Sequence, residues 1–264
     1  MADLLAGKTI IITGAARGIG QAYSLALAAQ GANVVIADIL DTADTVAQIE
    51  AAGSGAAIGV ALDVTDIDSC RAMAAAALDS YGRIDGLINN AALFGPSDKT
   101  KGAELMPFDA IDEQMWDNMM AVNVKGAWNC CKAVVPAMRE QNYGKIVNIS
   151  SNTVALGAAH LLHYVTSKGA IATLSRCLAK ELGPEGIRVN TISPGFIQSQ
   201  ASLDIMENFD AHAITDEMKN VCALGREQYP DDLVGSAIYL CSELSDFVSG
   251  QTLYVDGGAT FSGI

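Results

Sequence analysis

The residues of this chain best suited to chemistry are Tyr164 and Lys168, in the run Tyr164-Val165-Thr166-Ser167-Lys168. On a helix, a spacing of four puts both side chains on one face. A free phenol has a pKa of about 10 and is a poor base at neutral pH. An ammonium one turn away favours the phenolate and is expected to lower that value. Thirteen residues before the tyrosine stands Ser151, expected to close the strand-like run Ile146-Val147-Asn148-Ile149-Ser150-Ser151. A hydroxyl at the carboxyl end of a parallel strand faces the crevice where such sheets take their ligands. There it can donate a hydrogen bond to an oxygen that gains negative charge while the phenolate removes a proton.

A second constellation lies near the start. Thr13-Gly14-Ala15-Ala16-Arg17-Gly18-Ile19-Gly20 follows an apolar run and opens a helix-like stretch. Gly14 permits a sharp turn, Gly18 lets backbone approach a pyrophosphate, and Gly20 lets the helix pack on the sheet. The free N–H groups of a helix N-terminus then favour phosphate. Asp38, 24 residues past Gly14, ends the next apolar run. A carboxylate there accepts ribose hydroxyls and repels a 2′-phosphate, so NAD(H) is expected over NADP(H). Arg17 is the counter-signal, since a guanidinium in this loop suits a 2′-phosphate.

These residues need a scaffold, and its pattern is visible. Seven short apolar runs recur, at Thr9 to Thr13, Asn33 to Ala37, Ile58 to Leu62, Gly86 to Asn89, Lys145 to Ser150, Arg188 to Ser193 and Leu253 to Val255. Several are continuous and β-branched, which indicates strands covered on both faces. Helix-like segments alternate with them: Ile19 to Gln30, Ile67 to Tyr81 before Gly82, and Leu162 to Leu182 before Gly183-Pro184. The expected fold is α/β, a single Rossmann-like doubly wound domain over residues 1–264, with about seven parallel strands flanked by helices. Two stretches break the rhythm. Residues 93–111 read as a rim loop and residues 196–225 as a substrate-covering segment.

Composition narrows the partners. The chain has 264 residues, 50% hydrophobic and 17% charged, with 30 Asp+Glu against 16 Lys+Arg and a net charge of -14. Such a surface repels nucleic acid and anionic lipid. No apolar run reaches the roughly 18 residues of a spanning helix, and the acid at Asp3 argues against an export signal. The six cysteines, Cys70, Cys130, Cys131, Cys177, Cys222 and Cys241, show no CxxC spacing. They read as reduced, mostly buried thiols in a cytoplasmic protein.

Taken together, the chain resembles the short-chain dehydrogenase/reductase family over essentially its whole length. The likeness rests on Thr13 to Gly20, Asp63-Val64, Asn89-Asn90-Ala91-Ala92, and Asn123 within Met120-Ala121-Val122-Asn123-Val124. It continues through Ser151, Tyr164, Lys168 and Pro194-Gly195 to Gly250 through Gly258. The resemblance implies a Ser151–Tyr164–Lys168–Asn123 tetrad that transfers hydride between NAD(H) and a secondary alcohol or ketone. It implies that Asp63 and Val64 hold the adenine, that Asn90 lies along the cofactor, and that Ile197 and Ser199 hold the carboxamide. Lys168 is implied to bind the nicotinamide ribose together with Tyr164, and Asn123 to hold a relay water. Ala92 stands where the family usually has glycine, and Ser199 where it has threonine.

Thr153, Leu161 and Phe196 join Ser151 and Tyr164 as expected substrate contacts, with Phe94 and His160 or His163 as further wall candidates. The two histidines lack a carboxylate or cysteine cluster, so no metal is expected. Trp116, Trp128, Met119 and Met120 read as core or subunit contacts. The apolar tail ending in Phe261 and Ile264, with the resemblance, implies a homotetramer. Two alternatives stand beside the alcohol dehydrogenase reading. One is a 3-oxoacyl-thioester reductase, disfavoured by Asp38 and the acidic surface. The other is a catalytically silent cofactor-binding protein, disfavoured by the intact Ser151, Tyr164 and Lys168.

Overall fold

The continuous β-branched runs do become strands buried on both faces. In this computed structural model, which describes residues 3–53, 55–94, 105–199 and 219–261, all five residues of β1 (Thr9–Thr13) are buried. Alternate side chains serve opposite layers, as the two-residue period of a strand requires. Ile10 and Ile12 pack with Tyr23, Leu27 and Leu233 on one face, while Ile11 packs with Met73, Val134 and Met138 on the other. Full burial of each isoleucine contributes about 1.5–3 kcal/mol.

The other strands are β2 (Asn33–Asp38), β3 (Ala56–Ala61), β4 (Gly86–Asn89), β5 (Gly144–Ile149), β6 (Ile187–Pro194) and β7 (Thr252–Val255). They form one sheet in the order β3-β2-β1-β4-β5-β6-β7, parallel at every pairing. The order turns back between β1 and β4, which opens a crevice at their carboxyl ends. Helices with described bounds are α1 (Gly18–Ala28), α2 (Ala43–Ala52), α3 (Ile67–Tyr81), α4 (Glu113–Met120), α5 (Ala127–Gln141), α6 (Thr153–Leu156), α7 (Leu162–Leu182) and α8 (Asp231–Cys241). Their ends carry local signals. Asp66 caps α3 by accepting from Asp68 N, and Gly82 ends it in the left-handed region at φ 73°.

The differences from the sequence expectation are local. β5 stops at Ile149, so Ser150 and Ser151 lie just beyond the strand rather than in it. There the Ser150 hydroxyl turns to the Lys168 carbonyl. α1 ends at Ala28, not Gln30, because Gln30 N and Gly31 N turn to Leu27 O and Ala28 O. Met119 is buried, but Trp116 and Trp128 are not core: they are 36% and 42% exposed. Cys70, Cys130, Cys131 and Cys241 are buried, whereas Cys177 is exposed and Cys222 partly so. Among the described residues no helix is long and apolar enough to cross a membrane.

Candidate active site

Tyr164 sits in the first turn of α7, and Lys168 follows one turn later. The helix is stitched to the end of β5 from both sides. Lys168 Nζ donates to Ile149 O at 2.9 Å, and Ser150 Oγ donates to Lys168 O at 2.8 Å. The ammonium lies 5.7 Å from the centre of the Tyr164 ring. Just past β5, Ser151 Oγ accepts from Thr153 Oγ1 at 2.9 Å and from Thr153 N at 3.3 Å. It also bonds the Tyr164 phenol, which pulls the phenol pKa down. Thr153 occupies the acceptor side of Ser151, which leaves the single serine proton for the phenol oxygen of Tyr164.

The electrostatics correct one expectation. Lys168 was expected to lower the Tyr164 pKa. Within the chain alone, burial pushes that phenol up to about 12, opposed only by the Ser151 hydrogen bond. The ammonium is turned to the Ile149 carbonyl, and burial pulls its own pKa down to about 8. Desolvation penalises the charged form of each group.

Asn123 lies in a π-helical stretch, Ala121–Gly126, between α4 and α5. Such widened turns cluster at functional sites. Its amide grips the backbone of Leu93 at both ends: Oδ1 accepts from Leu93 N at 2.7 Å and Nδ2 donates to Leu93 O at 2.9 Å. Nδ2 also reaches Ser167 Oγ at 2.9 Å, and that hydroxyl donates to Tyr164 O at 2.7 Å. Asn123 is thereby joined to the tyrosine through one side chain. Beside Leu93, the Phe94 ring stands edge-on to Tyr164, with centroids 4.8 Å apart. Residues 95–104 of the expected 93–111 rim lie outside the described residues. Its later part docks on the site, where Met106 N donates to His160 O at 3.0 Å.

The glycine loop has the required backbone. Gly14 and Gly18 both have φ of 64°, Arg17 is exposed, and Ile19 packs partly against the core. No side chain caps α1, and its first turn holds no acid, so its N–H groups face outward without a competing carboxylate. A Cβ on Gly20 would stand 2.2 Å from Gly14 O and 2.8 Å from Ala15 Cα. These features fit a pyrophosphate. Asn90 Nδ2 donates to Thr13 O and Gly14 O, so this residue ties the loop to β4. Thr13, whose side chain was given no role in the sequence reading of this loop, accepts on its hydroxyl from Asn90 N and Ala91 N.

Asp38 is 8% exposed at the end of β2. It accepts from Ala16 N and Leu40 N, both at 2.9 Å. Each carboxylate oxygen keeps a further lone pair, enough for a ribose diol. Past β3, exposed Asp63 accepts from Thr65, and buried Val64 receives Asn129 Nδ2 on its carbonyl. Past β6, Ile197 and Ser199 are both buried. Of the expected substrate contacts, Thr153 touches Ser151, and Leu161 is buried just before α7. Phe196 lines a small cavity of about 30 Å³ with Asn152, Cys222, Gln228 and Asp256. Residues 200–218 of the expected cover lie outside the described residues. His160 is exposed at φ 64°, whereas His163 is buried with Nδ1 unpartnered. Among the described residues no three His, Cys, Asp or Glu side chains gather as a metal site would require.

The chain is similar to known proteins over nearly its whole length. The family model described as Enoyl-(Acyl carrier protein) reductase matches residues 14–260. The chain is 37% identical over 252 residues to the short-chain reductase protein NovJ of Streptomyces niveus, covering 94% of this chain and 92% of that one. It is 34% identical over 257 residues to the D-threitol dehydrogenase of Mycolicibacterium smegmatis, covering 97% and 94%. The crystal structure of levodione reductase superposes with a TM-score of 0.88 at 26% identity, over 96% of this chain and 98% of that one. With its sheet order, glycine loop and Ser151–Tyr164–Lys168 contacts, the chain belongs to the short-chain dehydrogenase/reductase family of nicotinamide-dependent oxidoreductases acting on CH–OH groups.

Proposed function

We propose that this enzyme transfers hydride between NAD(H) and a small, uncharged secondary alcohol or ketone. The observation that carries this reading is the meeting of Ser151, Tyr164 and Lys168 at the carboxyl end of β5. When bound, the nicotinamide supplies the hydride donor or acceptor and, when oxidised, a positive charge. Tyr164 Oη takes the alcohol proton. Ser151 Oγ–H steadies the substrate oxygen, with Thr153 holding it in that orientation. Lys168 gives one of its three donors to Ile149 O and keeps two for ribose hydroxyls and proton exchange. Asn123 completes the set by fixing Leu93 and, through Ser167, the turn that carries Tyr164.

Gly14, Arg17, Gly18, Ile19 and Gly20 form the pyrophosphate loop in this reading, and Asp38 takes the adenosine ribose. Asp63, Val64 and Asn90 flank the adenine half, while Ile197 and Ser199 hold the carboxamide. Leu161, Thr153 and Phe196 contribute to the substrate side. Residues 1–264 act as one domain in which 93–111 and 196–225 cover the pocket. A cytoplasmic homotetramer is the matching assembly. Its support is the edge strand β7 with exposed Leu253, and the exposed Leu244 and Phe247 just before it; light scattering after gel filtration checks it.

The central test is a panel of secondary alcohols with NAD+ or NADP+, followed at the absorbance of the reduced cofactor. kcat/KM is expected to favour NAD+ by at least about tenfold, since Asp38 repels a 2′-phosphate. Asp38→Ala should narrow that ratio, and an equal or reversed wild-type preference overturns the assignment. Gly20→Ala puts a methyl into the Gly14 carbonyl. It is expected to weaken NADH binding at least about tenfold, as overpacking at a rigid backbone contact does. Fluorescence titration with NADH measures this.

A further inference from the structure

The loop that leaves β6, Gly195 to Ser199, starts where its sheet pairing runs out. The β6–β7 ladder ends at Pro194 and Val255. One step on, Gly195 N reaches Val255 O only at 3.3 Å. A residue 33 positions later fills this gap. Gln228 Nε2 donates to the same Val255 carbonyl at 2.6 Å, and its Oε1 accepts from Gly195 N at 3.2 Å. Its backbone pairs in parallel with Ile197, and its carbonyl accepts from Gln198 N at 2.7 Å. One residue therefore holds Gly195, Ile197 and Gln198, using both its side chain and its main chain.

Gln228 is anchored in turn. Arg226 makes a two-pronged bond to Asp232, at 2.7 and 2.6 Å, and Asp232 also accepts from Tyr229 N at 2.9 Å. The Arg226 guanidinium holds the Asp232 carboxyl down at about 2, so the bond persists across the working pH range. Asp232 lies in the first turn of α8, and the next residue, Leu233, is fully buried in the core. The contact also explains the glycine at 195. A Cβ there would stand 2.7 Å from Gln228 Oε1 and 3.2 Å from Asp256 Cβ.

We infer that Gln228 is the positioning residue that locks the Gly195–Ser199 loop, and with it the nicotinamide end of the cofactor, to edge strand β7. The inference rests on the proposed reading of Ile197 and Ser199 as the carboxamide holders. Gln228 acts only through the loop. Its amide substitutes for the next rung of the ladder, where β6 has ended and the chain must bend toward the ligand.

Two variants reach the contact from opposite sides. Gln228→Ala removes both side-chain bonds and keeps the backbone bridge. Gly195→Ala leaves the glutamine in place but drives its amide from its seat, and it carries the test if the first variant fails to fold. The experiment is calorimetric titration of the full-length protein with NADH and with ADP-ribose, which lacks the nicotinamide ring. The wild type is expected to bind both. Each variant should weaken NADH binding about fivefold, the range for one or two neutral hydrogen bonds, and leave ADP-ribose within about twofold. The double variant should weaken NADH no further than either single one, because both remove one interaction. Equal loss of both ligands marks a general structural role and overturns the inference, as does unchanged NADH binding. A wild-type chain that binds neither ligand overturns the cofactor reading itself, which separates that failure from the failure of Gln228.

Discussion

Tyr164→Phe is expected to reduce turnover by about a thousandfold or more and to change NADH affinity less than about threefold. Loss of a positioned proton acceptor costs about 10²–10⁴ in rate. The upper half of that range applies because no other titratable side chain contacts Ser151 among the described hydrogen bonds. The phenylalanine ring keeps the edge-on contact with Phe94, so the substitution removes one oxygen and little packing. In the wild type, kcat/KM for alcohol oxidation should rise with pH, because the active form is the phenolate. Burial, opposed by the Ser151 hydrogen bond, holds this phenol near 12, so an active enzyme at neutral pH requires positive charge from the oxidised cofactor to bring the value down. In the variant the rising limb should vanish. Stopped-flow assays from pH 6 to 10, with NADH titration of the same samples, read both effects. Retained activity with an unchanged pH profile sinks Tyr164 as the base.

The second large effect concerns Lys168, and it has opposite signs for activity and stability. Lys168→Met should lower turnover by at least about 100-fold, since it removes the two donors proposed for ribose hydroxyls and proton exchange. Yet the wild-type lysine is a cost to folding. Its pKa falls from 10.5 in the reference state to about 8 in the fold, where it is 5% exposed. The folded state therefore binds fewer protons than the unfolded state between those two values. Stability from this group rises with pH across that window, and the full penalty applies below it. A shift of this size corresponds to about 3 kcal/mol.

The methionine variant escapes that penalty but strands the Ile149 carbonyl, which costs about 1–3 kcal/mol. Near pH 7 it should match or exceed the wild type in stability. From pH 7 to 10.5 its stability should drop relative to wild type by about 3 kcal/mol. The difference isolates this one group, since every other titration is shared. Urea unfolding at the two pH values, without cofactor, measures it. A relative stability that stays flat across the window shows that Lys168 is not desolvated.

Much of this was legible locally. Thr9 to Thr13 and Gly86 to Asn89 are strands with the expected limits, and the continuous β-branched run of the first suits only a sheet covered on both faces. α3 and α7 also have the expected limits, set by Gly82 and by Gly183-Pro184. Ser151 was placed one element too early. Nothing in Ile146 to Ser151 marks where the strand stops; at its end Ser150 Oγ bonds Lys168 O of α7, and Lys168 Nζ bonds back to Ile149 O.

The sequence by itself determined the alternation of strand and helix, the turns at Gly14 and Gly18, and the shared face of Tyr164 and Lys168. Each of these follows from a period or a dihedral preference within a few residues. Only the tertiary structure decided the sign of the Tyr164 shift, the hold of Asn123 on Leu93, the contacts of Ser151 with Thr153 and Tyr164 and the clamp of Gln228 on Gly195. Desolvation depends on everything packed around a group, and hydrogen bonds between residues 30 or 33 positions apart depend on which loops the sheet order brings side by side. No local pattern encodes either quantity, so the chemistry of these residues was readable in the chain but its tuning was not.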